Sequence, residues 1–478
     1  MTRALAIALA ALLAACVSAP RPAPIVARPD PIDPEAAVAH ALEERIVAAD
    51  DTAPAPGTLS ADLRRFYEAR FWRPAWSRNR SLELVTAVAA APADGLRPGD
   101  YPLDSIRALL ELSAPDPADL AALDLLLSST FLLYAAHISS GRFTPWSADS
   151  MWSATPADLD FAAALTLATD SAPMTSVFRA LAPPYPGYER LRAQLTGASE
   201  DVAQRIAANL ERWRWLPRSL GPRYIMVNTP AFTVELKDSG RSVFAARVIV
   251  GRPDWPTPIT TTAVTQIVVN PAWYIPRTIA LAEVIPAQIR DSTYLSRAGI
   301  RVFPVRGQRE VDPTTVDWRK VTERNYLYRL VQEPGRANPL GSVRLHAPNA
   351  FGVALHDTPQ RGLFAEPVRT FSHGCVRVER ALELAQLLLR DVPGWTPDAI
   401  GAAVRAGRER AVVLPDAVPV VFAYWTAWVD DAGGLQIRDD LYGWDARLMN
   451  ALAPPSPPRA ASANNVRTSS SSVCEKSP

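Results

Sequence analysis

Two short runs hold the groups best suited to covalent chemistry. The first is His356-Asp357-Thr358-Pro359. The second, Ser372-His373-Gly374-Cys375-Val376-Arg377, puts a cysteine nineteen residues after His356. The chain has only five histidines and three cysteines, and Cys375 is the one cysteine set in a folded-looking stretch. A thiolate is the reactive form of cysteine, and a neighbouring imidazole generates it near neutral pH. The expected arrangement puts His356 at a strand end and Cys375 at the start of a helix, since ALELAQLLLR follows Arg380. A helix N-terminus would offer free N–H groups and partial positive charge, favouring the thiolate and a developing oxyanion. Gly374 lets the backbone approach a reacting carbonyl without a Cβ in the way.

Other readings of the same residues stay open at this point. A buried cysteine is commonly inert packing. Zinc binding by His356, His373 and Cys375 lacks a fourth ligand and the close ligand pairs of common zinc sites. Spacing alone does not choose between a cysteine enzyme and these alternatives.

The elements that must position the two runs are strands. From Arg223 onward the chain turns rich in β-branched and aromatic residues. Tyr224 to Val227, Phe232 to Leu236 and Val243 to Val250 read as strands, the last two joined by a turn at Asp238-Ser239-Gly240. Ile267 to Asn270, Leu327 to Val331 and Gly352 to His356 continue the series. A mainly β domain is therefore expected over 222–455, interrupted by an excursion at 279–323. Before it, 58–220 reads as a helical domain. Asp116-Pro117 is a cap followed by proline at the first turn, and Leu120, Leu123, Leu127, Phe131, Tyr134 and Ile138 form one helical face. A second helix runs from Val202 to Trp215, with Trp213 and Trp215 as packing residues. The fold class expected is α+β, a helical scaffold followed by a mainly β domain.

The ends differ in composition. Residues 1–15 combine Arg3 with an apolar run and end in Leu13-Ala14-Ala15-Cys16, small residues before a cysteine, as in a bacterial lipoprotein signal. Cys16 is the expected lipidation site, which would place the protein in the periplasm on a lipid anchor. Val17 stands where an aspartate would hint at inner-membrane retention, so the outer membrane is favoured. Residues 16–57 are Ala/Pro-rich and read as an extended tether, with Glu35 to Ala49 able to form a short helix. Residues 456–478, with Cys474, read as a disordered tail. No other stretch reads as long and apolar enough to span a bilayer. The 478 residues carry a formal net charge of +1, which argues against a nucleic-acid partner.

At these residues the sequence resembles the L,D-transpeptidase catalytic domain family, the YkuD domain, whose motif is a histidine followed by Ser-His-Gly-Cys. Asn270-Pro271-Ala272-Trp273, Asn338-Pro339-Leu340-Gly341 and Tyr424-Trp425-Thr426-Ala427-Trp428 resemble the YcbB-like subgroup, as does Phe66-Tyr67 with Pro74-Ala75-Trp76 in the scaffold. The resemblance implies 3→3 cross-linking of peptidoglycan, with a donor tetrapeptide and an acceptor stem peptide as partners, no metal or organic cofactor, and carbapenems as acylating agents. It implies Cys375 as acylated nucleophile, His356 as general base, His373 in support, and the amides of Gly374 and Cys375 as oxyanion donors. Arg377, Ser372 and Asp357 would be the substrate-binding residues, Arg377 through a substrate carboxylate, with Asp357 also orienting His356 through its carbonyl and Ser372 also holding its turn. The excursion at 279–323 resembles a capping subdomain. The peptidoglycan-binding module common in the subgroup is absent between Leu191 and Val202. Water or a protein as acceptor, and a non-catalytic wall-binding lipoprotein, are the alternative readings.

Overall fold

The computed structural model describes residues 33–48, 58–142, 144–153 and 159–453. The signal segment with Cys16, most of the expected tether, and the tail with Cys474 lie outside the described residues. In chain order the strands are β1 Arg223–Asn228, β2 Thr233–Asp238, β3 Arg241–Gly251, β4 Thr260–Val269, β5 Trp273–Tyr274, β6 Ile300–Pro304, β7 Tyr328–Gln332, β8 Val343–His346, β9 Leu355–His356, β10 Thr370–Ser372, β11 Val376–Val378, β12 Arg410–Ala423, β13 Ala427–Val429 and β14 Leu435–Ile437.

The N-terminal half is helical. Its longest helix, Pro117–Ser140, opens on a reciprocal cap in which Asp116 and Asp119 each accept from the other's backbone N–H, with proline at the first turn. It ends at Gly141. With a mean hydropathy of 1.5 over its most apolar window, this helix does meet the length and composition of a membrane span, contrary to the sequence expectation. It is instead the axis of the scaffold core, where Leu127, Phe131, Tyr134 and Ile138 are buried. A buried carboxylate on it, Asp124, accepts from Tyr67 Oη (2.6 Å) and from the amides of Ala75 and Trp76. The helix Pro34–Ala48 buries Val38, Leu42 and Ile46 in the same core. That segment had been assigned to the tether; its three apolar residues, spaced four apart, make it part of the scaffold.

The second half is a curled sheet in the order β10-β3-β11-β9-β8-β4-β12-β1-β2, and pairing of β2 with β3 closes it on itself. The β2–β3 hairpin turns through Ser239 and Gly240, both at positive φ, the conformation that matches strand twist. Inside lie Val227, Val234, Val248, Ile267, Leu345, Leu355, Val376 and Val420. The helix Ala381–Leu389 packs on this core through Leu384, Ala385 and Leu388. The two halves share a boundary: Trp213 stacks on Trp425 at 4.1 Å, and buried Arg212 pairs with Asp445 at 2.6 Å.

A three-stranded sheet in the order β5-β7-β6 stands apart from the barrel. With the helical turns at Arg277–Ile279, Ala280–Val284 and Ile285–Arg290 it encloses its own core of Ile279, Val284, Leu295, Val302, Trp318 and Leu330. The excursion expected at 279–323 lies within this cap. Its middle turn, Ala280–Val284, is π-helical, a local widening often met at functional sites.

Candidate active site

Alternation along β11 sends Val376 and Val378 into the barrel core, where both are fully buried, and Cys375 and Arg377 to the outer face. The parallel neighbour β9 pairs Leu355 with Val376 and His356 with Arg377, so His356 shares that outer face. With strands ~4.8 Å apart and a rise of ~3.3 Å per residue, the Cα atoms of His356 and Cys375 are roughly 8 Å apart, within reach of two facing side chains. Both residues line a cavity of about 800 Å³ between barrel and cap, together with Trp255, Glu283, His373 and Arg377.

His356 is buried, and its Nδ1 lies 2.6 Å from the carbonyl oxygen of Asp357. A carbonyl only accepts, so Nδ1 carries the proton and Nε2 is left as the basic atom. Burial pushes the imidazole down to about 3, so it is neutral at pH 7. Cys375 is half-buried, and its thiol is pushed up by burial, against smaller opposing effects of the Ala354 amide, Arg344 and Arg377. The resting pair is thus thiol and neutral imidazole, with Sγ 4.0 Å from the Gly352 oxygen.

Cys375 does not begin a helix, contrary to expectation. It precedes strand β11, and the helix starts only at Ala381, too far to act on the thiol, since the dipole fades beyond the first turn. The strong helical pattern after Arg380 set the helix correctly but not the three-residue strand before it. The oxyanion donors also differ. The Gly374 amide donates to Ser372 Oγ at 3.1 Å, and its carbonyl accepts from Thr257 Oγ1 at 2.8 Å. Among the described residues the Cys375 amide donates to no acceptor. Gly374 instead makes the turn, at φ +100°.

Ser372 and Asp357, assigned to substrate contact, are both buried and fully engaged. Ser372 Oγ donates to the Cys375 carbonyl at 2.5 Å. The Asp357 carboxylate accepts from the Ser342 amide (2.9 Å) and Arg361 (2.6 Å), while its carbonyl holds His356. Gly341, at φ +63°, lies so close that a Cβ would sit 2.5 Å from Asp357 Oδ2. Arg377 is different. Its guanidinium donates to the Gln360 side chain at 2.6 Å, and no carboxylate among the described residues pairs with it, so its charge faces the cavity. His373 donates from Nε2 to Glu283 Oε1 of the cap at 2.6 Å and meets the Trp255 ring edge-on at 4.8 Å. No group of three or more His, Cys, Asp or Glu among the described residues could hold a metal ion.

No local motif marks Thr257, Glu283 or Trp255 as part of the site. Each reaches the site from a distant segment, and only the Pro-flanked Asp254-Trp255-Pro256 run hints at a constrained loop.

Domain comparisons fit this architecture. Residues 222–405 match the YkuD model, the L,D-transpeptidase catalytic domain, and residues 61–195 match the Scaffold domain. The chain therefore carries a Scaffold domain followed by a YkuD L,D-transpeptidase catalytic domain. Among individual proteins, one from Haemophilus influenzae named "Putative L,D-transpeptidase" is 27% identical over 392 residues, 81% of this chain and 78% of its own length. An L,D-transpeptidase from Mycobacterium smegmatis aligns with 42% of this chain and 58% of its own, at 13% identity and a TM-score of 0.19. Mycobacterium tuberculosis L,D-transpeptidase 1 aligns with 42% of this chain and 61% of its own, at 14% identity and a TM-score of 0.18. This chain thus spans under two thirds of either mycobacterial chain, and scores that low say nothing about a shared fold.

Proposed function

We propose that the protein is a peptidoglycan L,D-transpeptidase that forms 3→3 cross-links through a thioester on Cys375. In the first step His356 Nε2 takes the thiol proton as Sγ attacks the carbonyl of the third residue of a tetrapeptide stem. The C–S bond forms, the C–N bond to the terminal D-alanine breaks, and D-alanine leaves with the proton from His356. In the second step an amine of another stem attacks the thioester. The new amide forms, the C–S bond breaks, and the amine's proton returns through His356 to sulfur. Because the thiol is held protonated, general-base assistance in the transition state replaces a standing thiolate. The Cys375 amide is the oxyanion donor, and Arg377 binds a stem carboxylate.

The observation that carries this reading is the outer-face juxtaposition of Cys375, just before β11, and His356 on the neighbouring β9, with Nδ1 pinned by the Asp357 carbonyl. Only six residues separate the helices Pro186–Ala193 and Glu200–Arg214, which leaves substrate capture to the scaffold, the cap and the membrane. We place the protein in the periplasm, lipidated at Cys16 and held at the outer membrane. Incubation with disaccharide tetrapeptide should yield cross-linked dimer and free D-alanine by mass spectrometry, and a carbapenem should add to Cys375. Tripeptide without dimer would mean a water acceptor, and no adduct on folded protein would mean a non-catalytic wall binder. Cys16→Ala should release the protein from membranes; unchanged fractionation would refute the anchor.

A further inference from the structure

The Ser372-His373-Gly374-Cys375 turn is gripped from outside the barrel. His373 donates to Glu283, which sits on the π-helical turn of the cap. Arg252, the first residue after β3, approaches the same Glu283 oxygen at 3.5 Å and donates its own amide to the Ser372 carbonyl at 2.9 Å. The Trp255 ring closes the other side of the imidazole. One carboxylate of the cap is thereby joined, tightly through His373 and more loosely through Arg252, to the backbone that carries the nucleophile.

Resting on the transpeptidase reading, we propose that Glu283 is a positioning residue that acts through His373. A carboxylate accepts but does not donate, so Glu283 keeps a proton on His373 Nε2 and sets the ring's angle against Trp255. That in turn fixes the backbone from His373 to Cys375, where a glycine at φ +100° offers little stiffness of its own. What Glu283 holds in register is the Cys375 amide, the donor aimed at the oxyanion, and the direction of Sγ. The role needs no contact between Glu283 and substrate. It also ties the seat of the cap on the barrel to a competent nucleophile turn, because the same hydrogen bond serves both.

The test uses the full chain with Glu283→Ala, Glu283→Gln, His373→Ala and the Glu283→Ala/His373→Ala double variant. Misplacement of a reacting group by a fraction of an ångström costs on the order of tenfold in rate. Glu283→Ala should therefore lower kcat for tetrapeptide turnover about tenfold, with KM little changed. Glu283→Gln still accepts the Nε2 proton and should recover most of that loss. The double variant should be no slower than His373→Ala, since a residue acting only through another adds nothing once that other is gone. Additive losses, or full activity in Glu283→Ala, would overturn the proposal. A second readout does not depend on turnover. Nitrogen-15 shifts of the His373 ring, at a pH where it is neutral, should report the Nε2–H tautomer in the parent protein and a mixture in Glu283→Ala. A mixture in the parent would overturn the role of Glu283 even in an active enzyme. The correct tautomer in a protein that turns over no tetrapeptide would uphold the Glu283–His373 link and count against the transpeptidase reading alone.

Discussion

Protonating His356 should destabilise the folded protein measurably. An imidazole in the unfolded chain takes up a proton near 6.5, whereas in the fold burial holds it down to about 3. Between these values the unfolded state binds a proton that the folded state refuses. Stability therefore rises with pH across the window and is lost as pH falls through it. At full extent the displacement corresponds to about 5 kcal/mol, and at pH 5, which lies 1.5 units below the ordinary value, to about 2 kcal/mol. His356→Gln removes this site while leaving His137, which burial in the scaffold also pushes down, to about 4. Urea-unfolding free energies of both proteins at pH 7.5 and pH 5 isolate the difference. The parent should lose about 2 kcal/mol more than His356→Gln on acidification. Its His356 ring should keep a neutral spectrum by NMR to below pH 5. Equal losses in the two proteins, or a ring titrating near 6.5, would refute the reasoning and with it the account of His356 as a neutral base.

Further expectations concern the neighbours of that pair. Arg377→Ala should raise KM for a tetrapeptide donor about tenfold or more, the worth of a charge-assisted hydrogen bond; alkylation of Cys375 by iodoacetamide should stay within about threefold, since Arg377 is only a minor influence on the thiol. Gly341→Ala should cost about 1–3 kcal/mol in thermal unfolding, because its φ and its contact with Asp357 both disfavour a Cβ, and turnover should fall with it. Thr257→Val keeps the side chain's shape but leaves the Gly251 amide and Gly374 carbonyl without their partner; a loss of about 2 kcal/mol and slower acylation of Cys375 are expected, and an unchanged rate would show that the Gly374 carbonyl needs no anchor.

Much of this was legible in the chain because the signals were local. Runs rich in β-branched and aromatic residues marked β1 to β3, and Asp116-Pro117 marked the start of the long helix. His356 and Cys375 stood out because histidine and cysteine are scarce. What stayed hidden depended on contacts between distant segments. Cys375 was expected at a helix N-terminus because three residues, Val376-Arg377-Val378, are too few to show a strand by pattern. Ser372 and Asp357 are polar and flank the motif, yet nothing in the local sequence distinguishes a side chain facing substrate from one consumed by the turn. The grip of Glu283 on His373 spans ninety residues, and neither partner signals the other. The helix at Pro34–Ala48 was hard to place because three apolar residues in an Ala/Pro-rich region carry little weight until the groove that receives them is known.

Under the proposed lipidation of Cys16, that helix limits how far the catalytic domain can stand from the bilayer. With Val38, Leu42 and Ile46 seated in the scaffold, the chain between the proposed lipid site at Cys16 and the folded body ends at Pro34 rather than near residue 57. Eighteen peptide steps reach at most about 60 Å when fully stretched, whereas forty-one would reach roughly 140 Å. If the proposed anchor at Cys16 is present, the shorter span confines the catalytic domain to the wall nearest that membrane.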